Sequence, residues 1–472
     1  VARKSEVTSL ALPFEAIFEI LIDNANDASI LELFHSGKPS FIHKTIADLC
    51  AAGIVHEVFT TNFDLLIEQA ILDRSGKLPN VFKKESEFLR IEDNVNPVTL
   101  VKLHGSVDDL SSIRATLRTV ASRVLSEARR SVVKRIFDQK ARHHVVVIIG
   151  YSCSDVFDIV EQVSSLHNPF VDVILIQHSP DCLQLPSVNP ISNAGTNNPF
   201  VRFKGLRIET DTTKFIEWYA RQKGMRLNAV ETTESLWPEK AKSWVQRYVV
   251  GYLKYTILGQ LFYRTHQLDR ALRYYQRSLE ANPVTFSRGY AATLTNIGLV
   301  LHDMERFSEA IDHHAKALSI FQELQFSFGI AGALNNAAWT YIQLKDFTNA
   351  EKHLRRALRV ARPRTFREST SCEADALSNM GLLCDRRGNL PAALSYYLSA
   401  LTLDEDGNPL GAISTLESLA KLYAKMGKWD DARVTSKRGK QMASKLGRLD
   451  LEHMFTLLSA EAVRPNGPEL HF

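Results

Sequence analysis

Three short polar segments hold the residue types of a hydrolytic site. Thr60-Thr61-Asn62-Phe63-Asp64 places an amide and a carboxylate two residues apart. Leu103-His104-Gly105-Ser106 sets an imidazole beside a glycine, and Gly150-Tyr151-Ser152 is a compact Gly-x-Ser turn. A histidine can serve as general base near neutral pH. A carboxylate or amide can orient a ribose hydroxyl or a water. A glycine turn running into a helix start offers free backbone N–H groups to a phosphate. Each segment also has a plain structural use. Asn62 and Asp64 can cap the next helix, His104 can be a turn histidine, and Gly150-Tyr151-Ser152 can be a strand-to-helix turn. Taken together, and each at a strand end, they point to nucleotide processing.

The elements that must position them follow from texture. Residues 1 to about 220 alternate short β-branched runs with helical stretches. Strands are predicted at Val55–Thr61, Val98–Leu103, His144–Ile149, Val171–Gln177 and Leu206–Glu209. Helices are predicted near Leu12–Asn24, Phe41–Ala52, Asp64–Asp73, Ser111–Ala141, Ser154–Ser165 and Thr212–Lys223. Near-continuous apolar strands between helices predict a parallel α/β sheet covered on both faces. Ligands in such sheets sit at the carboxyl ends of the strands. Pro180 to Pro199 reads as a long loop, either a lid or disordered. Trp218, Trp237, Pro238 and Trp244 mark connecting helices.

The second half is a repeat array. Gly259, Gly298, Ala338, Gly381 and Ala420 recur about 40 residues apart. Twelve positions after each stands Ala271, Ala310, Ala350, Ala393 or Ala432. Nineteen after, the residue is small again: Ser278, Ala317, Ala357, Ala400, Gly439. Three after, it is usually bulky: Phe262, Leu301, Tyr341, Cys384, Tyr423. Small residues at crossing points let paired helices approach. Turns fall at 265–267, 304–306, 344–346, 387–389 and 426–428. Lys352, Arg355, Arg356, Arg359, Arg362, Arg364 and Arg367 are either a solvated face or a phosphate or acidic-peptide site. His313-His314 lacks a third ligand and reads as packing or surface.

Composition sets outer limits. The 472 residues allow two or three domains, and a net charge of +4 argues against nucleic acid as the main partner. Hydrophobic residues at 45% and charged residues at 23% are globular values. No apolar run approaches the ~20 residues of a membrane helix. The five cysteines form no C-x-x-C pair, and no signal peptide opens the chain, so a cytoplasmic setting is expected.

Two family resemblances follow. The array, about Tyr248 to Leu449, resembles the tetratricopeptide repeat, with a longer period than usual. Residues 1 to about 215 resemble sirtuin-like (Sir2-like) NAD-binding domains. Thr60-Thr61-Asn62-Phe63-Asp64 is similar to their T-x-N-x-D segment, and His104 stands in the segment of their catalytic histidine. Gly150-Tyr151-Ser152 is similar to their G-x-S turn. The resemblance implies a Rossmann-like sheet with NAD as substrate. Asn62, Asp64 and His104 would be catalytic. Thr60, Thr61, Gly105, Gly150, Tyr151, Ser152 and Gln177 would bind NAD, with no metal. The zinc-module cysteines of protein deacetylases are missing, as is the family's first glycine-rich loop. The chain thus resembles zinc-free, NAD-cleaving sirtuin-like domains joined to repeats in anti-phage defence.

The expected organisation is a sirtuin-like domain over 1–220, a helical junction over 221–247 and about five repeats over 248–472. The repeats would hold a protein or peptide, or a second copy of the chain, and no membrane. The start at Val1 without a glycine loop predicts an N-terminally truncated chain or a degenerate domain. The alternatives are an inactive nucleotide-binding scaffold and, third, a protein deacylase.

Overall fold

The computed structural model describes residues 14–25, 29–35, 37–91, 98–109, 112–113, 127–137, 144–150, 163, 166–179, 186–193, 198–224, 237–249, 251–365, 369–404, 408–445 and 449–461. The chain forms two compact units. One comprises Ala28–Ala115 and Val124–Trp244; the other comprises Val1–Asp27, Thr116–Arg123 and Val245–Phe472.

Helix α1 (Phe14–Ala25) belongs to the unit that holds the array. Its Ile20 enters a core with Ile257, Leu261 and Phe262. Arg264 donates to Glu19 at 3.0 Å, and Asn24 donates to Gln260 at 2.6 Å. The sequence alone ties this helix to its neighbours in the chain; its packing lies with the repeats.

The α/β unit contains α2 (Phe41–Ala51), β1 (Glu57–Thr60), α3 (Leu66–Ser75), β2 (Asn80–Phe82), α4 (Glu85–Phe88), β3 (Thr99–Lys102) and α5 (Glu127–Phe137). Then come β4 (His144–Ile149), β5 (Val171–His178), β6 (Ser187–Pro190), β7 (Lys204–Thr210) and α6 (Thr212–Gln222). The strands form two sheets. The first has order β1-β3-β2, all parallel; the second has order β4-β5-β7-β6, with β6 antiparallel to β7. Central β3 is buried on both faces, with Leu100 and Val101 fully enclosed. Each such side chain contributes about 1.5–3 kcal/mol of burial.

Helix α5 serves both sheets. Its Val132 packs with Val101 and Leu103, while Val133 and Phe137 pack with Val171 and Val173. Ile136 reaches both clusters and accepts at its carbonyl from the His144 ring at 2.9 Å. Of the predicted 111–141 helix, the described residues are 112–113, which lie in no α-helix, and the helical 127–137; the predicted 154–165 helix falls outside them apart from Val163.

Two predictions change here. Ser187–Pro190 is an edge strand inside the predicted long loop, and Pro190 closes it at the rim, where no further ladder donor is required. Coverage of both faces also fails for part of the second sheet. Val145 and Val147 on β4 and Leu206 on β7 are exposed, while Val146 and Ile148 face the core. Trp218 is exposed too, whereas Trp244 is buried and donates its indole N–H to Ser29 at 3.0 Å.

Helix α7 (Trp237–Tyr248) leads to the array, which runs as helical pairs. These are α8 (Leu253–Arg264) with α9 (Leu268–Ala281), α10 (Arg288–Asp303) with α11 (Phe307–Glu323), and α12 (Ser327–Gln343) with α13 (Phe347–Ala361). Next come α14 (Ser369–Arg386) with α15 (Leu390–Asp404), α16 (Pro409–Lys425) with α17 (Trp429–Lys445), and the closing α18 (Leu449–Glu461). The predicted small positions Ala271, Ala310, Ala350 and Ala393 are fully buried. Each predicted turn is centred on a left-handed residue: His266, Glu305, Lys345, Gly388 or Gly427. The next N–H donates five residues back, from Gln267, Arg306, Asp346, Asn389 and Lys428 to Phe262, Leu301, Tyr341, Cys384 and Tyr423, at 2.8–2.9 Å. In each repeat the accepting carbonyl belongs to the residue three positions after the small one.

Two buried polar groups give the array a pH response. His314 lies on Gly298 where other repeats put Tyr275 on Gly259 and Tyr397 on Gly381. It is fully buried, and neither ring nitrogen has a hydrogen-bond partner among the described residues. Burial, then the charges of His302 and His313, push it down to about 3. Unfolded, it protonates near 6.5. The unfolded state therefore binds more protons between these values, and stability is lost as pH falls through that window. His314→Phe is expected to raise the array's Tm by several degrees at about pH 5, with a smaller gain near pH 8, read by thermal unfolding.

Asp404 behaves oppositely. It is buried and accepts from Asn408 at 2.9 Å and Thr415 at 3.4 Å. Burial, then the charge of Asp375 on α14, push it up to about 7. Between the ordinary 3.8 and that value the folded state holds the extra proton. Stability therefore falls as pH rises through this window. Asp404→Asn keeps the bond from Asn408 on its oxygen, with its amide N–H donating to the Thr415 hydroxyl instead of accepting from it. It is expected to stabilise by about 1–3 kcal/mol near pH 8 and far less near pH 4, by denaturant unfolding at each pH.

Candidate functional site

The site is assembled at the carboxyl ends of β1 and β3. The two strands pair from Glu57↔Thr99 to Thr60↔Lys102, so their ends are level. Leu103 N–H donates to the Thr60 carbonyl at 2.9 Å, and Val107 N–H donates to the Phe63 carbonyl at 3.0 Å. The Asn62–Asp64 turn and the His104–Gly105 turn are thus laced together by backbone.

Within the first turn, the Thr60 hydroxyl accepts from Asn62 N–H at 3.0 Å, and Thr61 lies between them. The Asn62 side chain is exposed. Asp64 accepts Leu66 N–H at 3.0 Å, next to the α3 start. It thus closes a turn one residue ahead of the Leu65 N-cap, and this occupies one oxygen. The Phe63 ring packs between Phe34, at 5.5 Å, and the His104 imidazole, at 6.2 Å between centroids. Aromatic contact on one face restricts how His104 can turn.

Lys102 ends β3 with its side chain fully enclosed. Its ammonium pairs with Glu68 on α3 at 2.7 Å and donates to the carbonyls of Asp64 and, at 3.4 Å, Phe63. A buried ammonium is tolerable when its donors are satisfied, and here the partners are the turn carrying Asn62 and Asp64. Sequence reasoning gave Lys102 and Glu68 no role. The signal was a lysine inside an otherwise apolar strand, Val98–Leu103.

His43 on α2 was also missed. Burial lowers its pKa, and the Asp64 carboxylate partly offsets this, so the two groups are electrostatic neighbours. Its Nδ1 lies 2.6 Å from the Ser40 hydroxyl and accepts from Ser40 N–H at 3.1 Å, fixing the ring at the start of α2.

Gly105 has φ +88°, and a Cβ there would lie 2.2 Å from the Ser112 carbonyl oxygen. Ser106 N–H donates to the Ser112 hydroxyl at 2.9 Å, and that hydroxyl donates to the Asp109 carbonyl at 2.7 Å. The loop after His104 is folded hard against Gly105. Lys83 and Lys84 pin it further through Asp108 and Asp109.

The remaining candidates lie on the second sheet. Gly150 closes β4 with φ +69°, and its N–H donates to the Ile176 carbonyl at 3.3 Å. Tyr151 and Ser152 fall outside the described residues. Gln177, near the end of β5, accepts from the Arg207 guanidinium at 3.0 Å, and Arg207 also pairs with Glu209. Its carbonyl is engaged on β7. Among the described residues no group of three or more His, Cys, Asp or Glu could hold a metal. No helix among them is long and apolar enough to cross a membrane.

A SIR2-like domain model matches residues 56–181, which include every strand-end segment above. A tetratricopeptide-repeat model matches residues 289–363 and 329–406. The chain joins a SIR2-like domain to tetratricopeptide repeats. The SIR2-like match begins at His56, just before β1, and the repeat matches span α10 to α15. No curated protein matches. Similar solved structures include a Rap protein complexed with competence and sporulation factor, at 18% identity, covering 53% of this chain and 78% of that one, TM-score 0.41. NprR in complex with its cognate peptide NprX is 21% identical over 49% of this chain and 67% of its own, TM-score 0.41. BtubC from P. vanneervenii is 18% identical over 50% and 92%, TM-score 0.35. These are likenesses to other proteins and say nothing of what this chain binds.

Proposed function

We propose that the SIR2-like domain cleaves the N-glycosidic bond of NAD, releasing nicotinamide and an ADP-ribose product, and that the repeat array senses a protein or peptide trigger in anti-phage or stress defence. The observation that carries this reading is the pairing of the Asn62–Asp64 and His104–Gly105 turns at the ends of β1 and β3, locked by Lys102. Nicotinamide leaves with the bond electrons, which neutralise its ring charge. A water adds to the ribose carbon, and its proton goes to His104 or solvent. Asn62 orients the ribose or that water. Asp64, with one oxygen on Leu66 N–H, keeps the other for the same task.

Purified full-length protein should consume NAD. His104→Ala is expected to slow this at least about 100-fold, the usual worth of a general base. Asn62→Ala should lower kcat more than it raises KM. Equal NAD loss in wild type and both variants would refute the proposal.

One observation favours a second reading, an inactive nucleotide-binding scaffold: no Gly-x-Gly segment occurs in residues 1–247. Calorimetry with NAD and ADP-ribose separates the two, since binding without turnover supports the scaffold. A protein deacylase ranks third, because the cysteines of the zinc module are missing from the sequence.

A further inference from the structure

Helix α13 concentrates positive charge on one outer face. Lys352, Arg355, Arg356 and Arg359 are all exposed, at positions i, i+3, i+4 and i+7 of one face. Like charges one turn apart oppose helix formation. The inner face of the same helix is apolar, with Ala350, Leu354, Ala357 and Ala361 buried. Packing therefore holds the helix, and of the outer stripe only Arg355 is paired, with Glu351 one turn back.

A cleft of about 360 Å³ opens beside this stripe, lined by Thr348, Glu351, Lys352, Arg355, Arg359 and Arg387. Arg387 comes from the turn between α14 and α15. Glu351 fixes the geometry: it accepts from Arg355 at 2.7 Å and from Arg387 at 2.7 Å. Arg387 also donates to the Phe347 carbonyl at 3.1 Å. Two guanidinium groups are thus pre-set on one carboxylate. Lys352, Arg356 and Arg359 have no ion-pair partner among the described residues. Held guanidinium groups lose little freedom on meeting a carboxylate and can grip it with two parallel bonds.

We propose that this cleft and the α13 stripe bind an extended acidic peptide segment of a partner protein. The spacing matches. Lys352 to Arg356, and Arg355 to Arg359, are each about 6 Å along the helix axis. Same-side residues of an extended chain repeat about every 6.6 Å. Carboxylates on alternate peptide residues can therefore meet successive cations. Single-stranded nucleic acid is disfavoured because the cleft lining has no aromatic ring for bases to stack on. The proposal deepens the sensor reading of the array and does not depend on NAD cleavage.

The test is fluorescence anisotropy of full-length protein with a labelled decapeptide of alternating Glu and Ser, its Lys/Ser counterpart and a labelled single-stranded oligonucleotide. The acidic peptide alone should bind. Arg355→Glu with Arg359→Glu should weaken it at least about tenfold. The milder Lys352→Gln with Arg359→Gln should weaken it several-fold, and it serves if the reversal variant does not fold. Arg433→Glu, on exposed α17 surface, should leave binding unchanged. Absence of binding at millimolar peptide, equal affinity in the folded variants, or equal binding of the oligonucleotide would each overturn the proposal. NAD consumption is not read, so failure here is separable from failure of the catalytic reading.

Discussion

Lys102→Met is expected to destabilise the α/β unit by about 3–5 kcal/mol, because it strands Glu68 in the interior. The Glu68 side chain is 9% exposed, and its neighbour on β3 is the fully enclosed Lys102. The same change removes the donor to the carbonyls of Phe63 and Asp64. Two effects are therefore superimposed, and a second variant separates them. Lys102→Met combined with Glu68→Leu replaces the pair by apolar groups, which is often neutral or stabilising. Denaturant unfolding should show stability recovering in the double variant. NAD consumption should not recover, because the turn carrying Asn62 has lost its anchor. Recovery of both would make Lys102 structural only. Loss of kcat with stability restored identifies it as a positioning residue.

Gly105→Ala is expected to cost about 3 kcal/mol and to abolish most of the proposed NAD cleavage. A left-handed backbone costs an alanine about 1–2 kcal/mol. Crowding adds about 1–3 kcal/mol when the obstructing atoms cannot move aside. Here they are the Ser112 carbonyl and the Ile113 nitrogen, both backbone. Displacing Ser112 also removes its hydroxyl from Ser106 N–H, next to His104. Gly76→Ala is the control. Gly76 has φ +70° and open space around the added Cβ. It should lose only the dihedral part, about 1–2 kcal/mol, and leave NAD consumption near wild type. Equal losses at the two glycines would show that contact with Ser112 does not matter.

The sequence by itself determined what depends on local spacing. Alanines twelve residues past each small position are buried because antiparallel helices must cross where side chains are smallest. The turn centres His266, Glu305, Lys345, Gly388 and Gly427 were placed by the same period, although only two are glycine. The β1 and β3 ends were legible because β-branched runs stop at Asn, Asp, His and Gly. Tertiary structure decided what depends on partners far along the chain. No spacing ties Lys102 to Glu68 and the Phe63 carbonyl, more than 30 residues away. Only the level pairing of β1 with β3 brings them together. Five of the strands were legible individually, but not the short β2 and β6, and the division into two sheets bridged by α5 depends on which edges hydrogen-bond. Gln177 stood at a strand end as predicted, yet its amide is committed to Arg207 on the adjacent strand. Likewise α1, adjacent in sequence to the α/β elements, buries Ile20 against α8. A periodic pattern tells which face of an element must be buried; only the fold tells against what.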